Sequence, residues 1–406
     1  MDTDNLAQLR EIFLTQARYC EELDSPFMVR LCRLFAQHLQ ADDATACYLI
    51  DLPKPASFWN QALPLRVAGA LHALVLSDQC PELKAVYPPH HDEVSDAALW
   101  AAVSHAMRKH ADFFMAFLDS VPQTNEVRRS CVLLPGFLTI ARETGLPFTV
   151  SELGASAGIN LCWDSFGYQL GDHAWGDPNS GVMMTPDWRG NPPPAAAPIT
   201  VAERAACDMA PVDFRNANAR LRLLSYIWAD QADRFTRTEN ALAILAAKDY
   251  TVEKATIDDW LPQRLSRDTT GMVHVICHTI TWQYLSEDSD KRSRALMSTA
   301  GSKATPKAPL AWLHLEPDGK SPGAAITLTL WPDGTQRYLG RADYHGRWID
   351  WSGQPFNLTI PETTYAVSPV CHGTADIDCR HPGVESPLCQ CQKSGTRTWI
   401  LPGHAG

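Results

Sequence analysis

The chain predicts an α/β fold: a parallel sheet with right-handed crossovers, closed by an antiparallel hairpin and preceded by an all-helical N-terminal domain. Three observations lead there. From Asn5 to about Val121 apolar residues recur at three- and four-residue steps with no strand pattern. Between Pro147 and Leu161 a strand-like run enters a turn of small residues that opens a helix. Beyond it strands and helices alternate as far as Leu315, and a hairpin follows.

The helical part carries its stripe in Leu6, Leu9 and Phe13 and again in Phe27, Leu31, Leu34 and Phe35. Leu63 to Leu76 is apolar nearly all round, which predicts a helix buried among the others, with His72 a satisfied core residue. A helix from about Glu126 to Glu143 should stop at Gly145, and Thr124 as its N-cap is the bland reading of its start. Strands follow at Phe148, at Ile199 leading to Asp208, at Tyr250 ending at Asp258 and Asp259, at Met272 to His278, and at Leu310 to Leu315. The intervening helices are expected at about Ala217 to Phe235, continuing through Ala241 to Ala247, then around Leu261 and over Asp288 to Thr299. Ile326 to Trp331, the turn Pro332-Asp333-Gly334 and Gln336 to Ala342 form the hairpin. Tyr168 to Pro198, rich in Pro, Gly, Trp and Asp, reads as an insertion near the carboxyl edge of the sheet, either covering a ligand or forming plain surface. The domains are then 1–122, helical, 123–353, built on the sheet, and a tail, 354–406.

The turn carries the functional signal. A dinucleotide fingerprint starting at Gly154 would need glycine where Ser156 and Ile159 stand, so a pyrophosphate cradle is disfavoured. Glu152, Gly154, Ser156 and Gly158 instead fit an acidic residue followed by small residues at every second position. That pattern resembles the first motif of S-adenosylmethionine-dependent methyltransferases, apart from Ser156, where the family usually has glycine. The resemblance implies a Rossmann-like, methyltransferase-type sheet whose last strand inserts between its neighbours. It also implies S-adenosylmethionine as cofactor, since a sulfonium cation tolerates a nearby carboxylate that would repel a diphosphate.

A cofactor lying across the carboxyl ends of the strands would meet each strand's terminal residues. Asp208 suits the ribose hydroxyls or, equally, a helix cap. Asp258 suits an adenine amino group, although capping the short helix accounts for it better. The resemblance implies that the helix preceding the turn contributes to the cofactor's methionine end, where Asn125 could bind a carboxylate or amino group, and the helix start explains Asn125 as well. His278 ends the fourth strand, where an imidazole could take a proton from the methyl acceptor; a buried structural histidine is the bland alternative. Trp282 and Tyr284 would be an aromatic wall for the sulfonium or simply core. Arg128 and Arg129 read as solvated or paired. No Ser-His-Asp order, lysine-bearing phosphate loop or two-histidine zinc helix is present, and Cys277 and His278 point to opposite faces of their strand, so a hydrolase is discounted.

Composition narrows the partners. The 406 residues are 45% apolar, enough for a sizeable core, and 46 acidic against 35 basic residues give a formal charge of −11. That balance argues against nucleic acid or an anionic membrane as partner and favours small molecules or proteins, with a small-molecule substrate expected. The start of the chain is acidic, without a basic and apolar leader, and no run is long enough to span a bilayer, so the cytoplasm is expected. Eight of the twelve cysteines are scattered singly through apolar segments and read as buried thiols. Cys371, Cys379, Cys389 and Cys391 crowd the tail near His372 and His381, without the paired spacings of a structural zinc site, and no metal is expected.

Five segments carry a further resemblance: Gln123 to Ser130 (QTNEVRRS), Glu152 to Asn160 (ELGASAGIN), His278 to Leu285 (HTITWQYL), Glu316-Pro317 and Asp343 to Trp348 (DYHGRW). Over about residues 1 to 353 the chain resembles the bacterial family of unknown function numbered 2332, itself similar to methyltransferases in strand order. The resemblance brings no activity with it; Ser156 together with the absence of any recognisable acceptor motif leaves as the alternative function a non-catalytic module that keeps the fold to bind a nucleotide or a protein. The tail from Gln354 lies beyond the family's usual ending and reads as disordered.

Overall fold

The computed structural model describes residues 3–51, 62–119, 122–194 and 196–352. The tail 354–406, with its four cysteines, lies outside them.

Among the described residues seven α-helices come first: α1 Thr3–Glu22, α2 Pro26–His38, α3 Ala44–Asp51, α4 Leu63–Leu76, α5 Pro81–Lys84, α6 Asp96–Lys109 and α7 Ala111–Leu118. Their apolar faces close on a core of their own, from Leu9 and Phe13 through Phe27, Phe35, Leu71 and Phe114. The apolar segment Leu63–Leu76 is the buried helix α4, as its composition requires. Within it His72 Nδ1 lies 3.2 Å from the Ser225 carbonyl, and because a carbonyl only accepts, Nδ1 carries the proton.

The remaining helices are α8 Arg129–Thr144, α9 Ala217–Ser225, α10 Ala232–Ala246, α11 Ile257–Leu265 and α12 Glu287–Gly301. The strands are β1 Phe148–Leu153, β2 Gly167–Leu170, β3 His173–Gly176, β4 Met183–Met184, β5 Asp187–Gly190, β6 Val201–Asp208, β7 Val252–Lys254, β8 Val273–Thr279, β9 Leu310–Glu316, β10 Ala324–Trp331, β11 Thr335–Ala342 and β12 Trp348–Trp351. Among the described residues nine strands form one mixed sheet in the order β5-β12-β11-β10-β9-β8-β1-β6-β7. The pairings from β7 through to β9 are all parallel, as strand–helix alternation demands. The chain runs outward from β1 through β6 to β7, then returns to β8 on the other side of β1. The strand order therefore reverses between β1 and β8.

Four expectations are corrected. The last hairpin strand does not insert: β10 lies beside β9 and β11 beside β10, because the short connection 317–323 favours an adjacent antiparallel partner. The insertion is not plain surface. Its β2, β3 and β4 make a small separate sheet, β5 joins β12 at the far edge of the large one, and Tyr168, Leu170, Val182 and Met184 are buried in the main core. The helix expected from Ala217 to Phe235 is two helices broken over residues 226–231. There Tyr226 packs into the helical core, and Asp230 accepts from Ser25 Oγ at 2.6 Å and from the Phe27 amide at 3.0 Å. Finally α8 starts at Arg129 without a side-chain cap, so Thr124 caps nothing. It ends, as read, at Gly145 in the left-handed region.

The eight scattered cysteines are free, and all but the half-buried Cys47 are buried. Among the described residues no helix is long and apolar enough to cross a membrane, and no cluster of His, Cys, Asp and Glu is placed to hold a metal ion.

Candidate functional site

The strand-order reversal puts the carboxyl ends of β1 and β8 side by side, and the turn Gly154–Gly158 leaves β1 there. Four of the turn's five amides are spent within the protein, Gly158 donating to the Ala155 carbonyl at 2.8 Å. Gly154 and Ala155 donate to the Cys207 carbonyl at 2.9 and 3.1 Å, Ser156 to Asp208 Oδ2 at 2.8 Å, and Ile159 to Asn125 Oδ1 at 3.0 Å. Asp208 also accepts from the Ala210 amide at 2.8 Å. Asn125 and Asp208, read as cofactor ligands, are thus tied to the turn itself. Gly154 and Gly158 have positive φ, and a Cβ would fall 2.4 Å from Thr281 Cγ2 in the first and 2.8 Å from Val252 Cγ2 in the second. Ser156 is also left-handed, and its buried Oγ has no hydrogen-bond partner among the described residues. Glu152 points into the same buried region, where burial and the neighbouring Asp208 push its carboxyl up to about 8.

Asp258 does not end a strand. β7 stops at Lys254, and Asp258 lies in the first turn of α11, which Thr256 caps, with Arg292 at 2.7 Å. The Arg292 guanidinium holds its carboxyl below the usual range.

His278 lies on β8 but faces inward, 1% exposed. Trp312 Nε1 donates to its Nε2 at 2.9 Å, and an indole can only donate. Nδ1 must then carry the proton, which it gives to Glu316 Oε1 at 2.7 Å. The same oxygen accepts from the Thr281 and Trp282 amides at 2.8 and 3.1 Å. Trp282 and His314 stack on the imidazole, with ring centres 4.6 and 5.0 Å away. The base expected for a methyl acceptor is therefore enclosed with both nitrogens committed. Trp282 is core, while Tyr284 is 74% exposed.

A group not foreseen as functional lies at the same edge. Glu126, 3% exposed, pairs with Arg234 Nε of α10 at 2.7 Å and accepts from the Arg128 amide at 3.1 Å. Burial alone would raise its pKa, but Arg234, His345, the Arg128 amide and Arg129 together hold it down to about 2. Arg129 donates to the Tyr344 carbonyl at 2.9 Å and reaches the Thr279 carbonyl at 3.4 Å. Gly346 lies so close that a Cβ there would stand 2.7 Å from the Arg128 carbonyl. Asn160 donates to the Glu126 carbonyl at 3.2 Å. Glu316 binds the start of the segment His278 to Leu285 as described above. All five segments that carry the family resemblance thus converge on one end of the sheet. The arginine doublet Arg128-Arg129 inside one of them was the available signal; Arg234 and Arg237 on a helix far along the chain had none.

Residues 10–351 match the model of a family described as an uncharacterized protein conserved in bacteria (DUF2332). No curated protein matches the chain. The match spans both the helices and the sheet and includes every element of the convergent edge, so the chain belongs to the DUF2332 family of uncharacterized bacterial proteins.

Proposed function

We propose that the chain binds S-adenosylmethionine across the carboxyl ends of β6, β1 and β8, as a methyltransferase-like protein that takes a small-molecule acceptor. The observation that carries this reading is the parallel order β7-β6-β1-β8-β9, with Glu152 and Asp208 near the ends of adjacent strands beside the reversal. A sulfonium placed there would meet a carboxyl held protonated by burial and would favour its ionised form. Fold analogy supplies the name of the cofactor, and the carboxylate pair supplies the charge logic. Calorimetric titration with S-adenosylmethionine and S-adenosylhomocysteine tests it. Binding with a rise in melting temperature is expected, and no heat and no shift with either ligand overturns it.

A second reading, a binding module without turnover, is favoured by one specific arrangement: four of the turn's five amides are spent internally and His278 has no free nitrogen. Cofactor binding with no methyl transfer across a broad panel of hydroxyl, amine and carboxylate acceptors supports it. Transfer to any of them excludes it.

A further inference from the structure

Arg234 pairs with the Glu126 carboxylate at 2.7 Å, Arg129 and His345 stand within electrostatic reach of the same carboxylate, and Arg237 stands within reach of Glu126, Arg234 and Arg128. Each arginine is half-buried rather than fully solvated. The other acids nearby are committed or outside. Asp343 holds Arg347 at 2.8 and 2.9 Å, Glu316 accepts from His278 and two amides, and Asp233 is exposed. Arg237 Nε and His345 Nδ1 are buried with no hydrogen-bond partner among the described residues. Crowded cations with unspent donors cost folding energy, and such an arrangement persists where an anion is to be held.

We propose that this cluster is a binding site for a phosphate group carried by a small molecule. Guanidinium forks match a tetrahedral oxyanion through paired N–H donors, and several forks converging from two helices and a turn enclose it from different sides. A dianion balances four cations and one carboxylate better than a lone carboxylate ligand would. The burial of the cluster raises the worth of each contact. Supporting the same picture, Arg128 and Arg234 lower the proton affinity of Arg237 after burial itself, as closely gathered like charges must. The inference does not depend on S-adenosylmethionine, since it rests on the cations alone.

The test uses inorganic phosphate as probe, followed by melting temperature and calorimetry on the full chain without cofactor. Saturable stabilisation by phosphate is expected, and not by chloride at matched ionic strength. Arg237→Gln should weaken phosphate binding about tenfold, the worth of one charge-assisted hydrogen bond. Its melting temperature without phosphate should not fall, because a repelling cation has gone. Arg128→Gln should behave alike and serves if Arg237→Gln does not fold. Equal effects of chloride and phosphate, or unchanged phosphate affinity in a folded variant, overturn the proposal. So does displacement of phosphate by S-adenosylhomocysteine, which would assign the cluster to that cofactor's carboxylate. Absence of S-adenosylhomocysteine binding leaves the phosphate result standing, so the two readings fail separately.

Discussion

At Glu152 burial and a neighbouring carboxylate push the folded-state pKa from 4.5 to about 8. The folded protein therefore keeps a proton that the unfolded chain releases, and stability falls as pH rises from about 4.5 towards 8. Glu152→Gln, which mimics the protonated form, should raise stability by about 2–4 kcal/mol near pH 8 and change little near pH 4. Denaturant melts at the two pH values measure this; equal gains at both would refute it. Glu316 presents a different residue-scale problem, because its Oε1 satisfies His278 and two backbone amides at once. Glu316→Ala strands three buried donors and should cost roughly 3–5 kcal/mol, whereas Glu316→Gln keeps an acceptor and should cost about half as much. Neither role was legible in the sequence. Glu152 was readable as an acid beside a turn and His278 as a strand-end imidazole, but their partners come from other strands.

At the scale of elements, α8 lies on β9 so closely that a Cβ at Gly136 would stand 2.4 Å from Leu313 Cδ1. Gly136→Ala should therefore cost about 1–3 kcal/mol through overpacking, despite alanine's better helix propensity. Leu313→Ala in the same chain should recover part of that loss relative to Leu313→Ala added to the wild type, and a double-mutant cycle by chemical denaturation reads the coupling. α8 also shows what local pattern can and cannot say. Its body and its Gly145 stop follow from apolar period and backbone chemistry, but its start does not. Asn125 and Glu126 would have made a good first turn. Instead the Asn125 side chain and the Glu126 backbone hold residues 159 and 160, and the Glu126 carboxylate holds Arg234. Tertiary bonds outcompete a cap worth about 1 kcal/mol.

Among the described residues four buried histidines govern the response to acid. Burial pushes His72 and His345 down to about 4, His274 to about 3 and His314 well below the ordinary 6.5. Their folded forms stay neutral while the unfolded chain takes up protons, so the stability they contribute is present above about 6.5 and is lost as pH falls towards 4 and then 3. Glu152 opposes this as one group against four, and the melting temperature should decline between pH 6.5 and pH 4; a flat profile there would contradict these assignments. His72 lies in the helical core and His274 in the sheet. Asp230 joins those two regions by accepting from Ser25 and Phe27, so Asp230→Ala should lower stability by roughly 1–3 kcal/mol and open α2 to faster hydrogen exchange.

The sequence by itself determined the class of fold: the helical N-terminal part, the parallel strands in their alternating order, the hairpin and the family. Those follow from apolar period, turn chemistry and short connections, which act over a few residues. The tertiary structure alone decided that the hairpin runs on as a meander, that His278 is enclosed, and that the arginines gather around Glu126. Arg129 finds its partners 150 and 215 residues away. A side chain's charge and donors are local properties, but the groups that satisfy them are chosen by how the sheet closes.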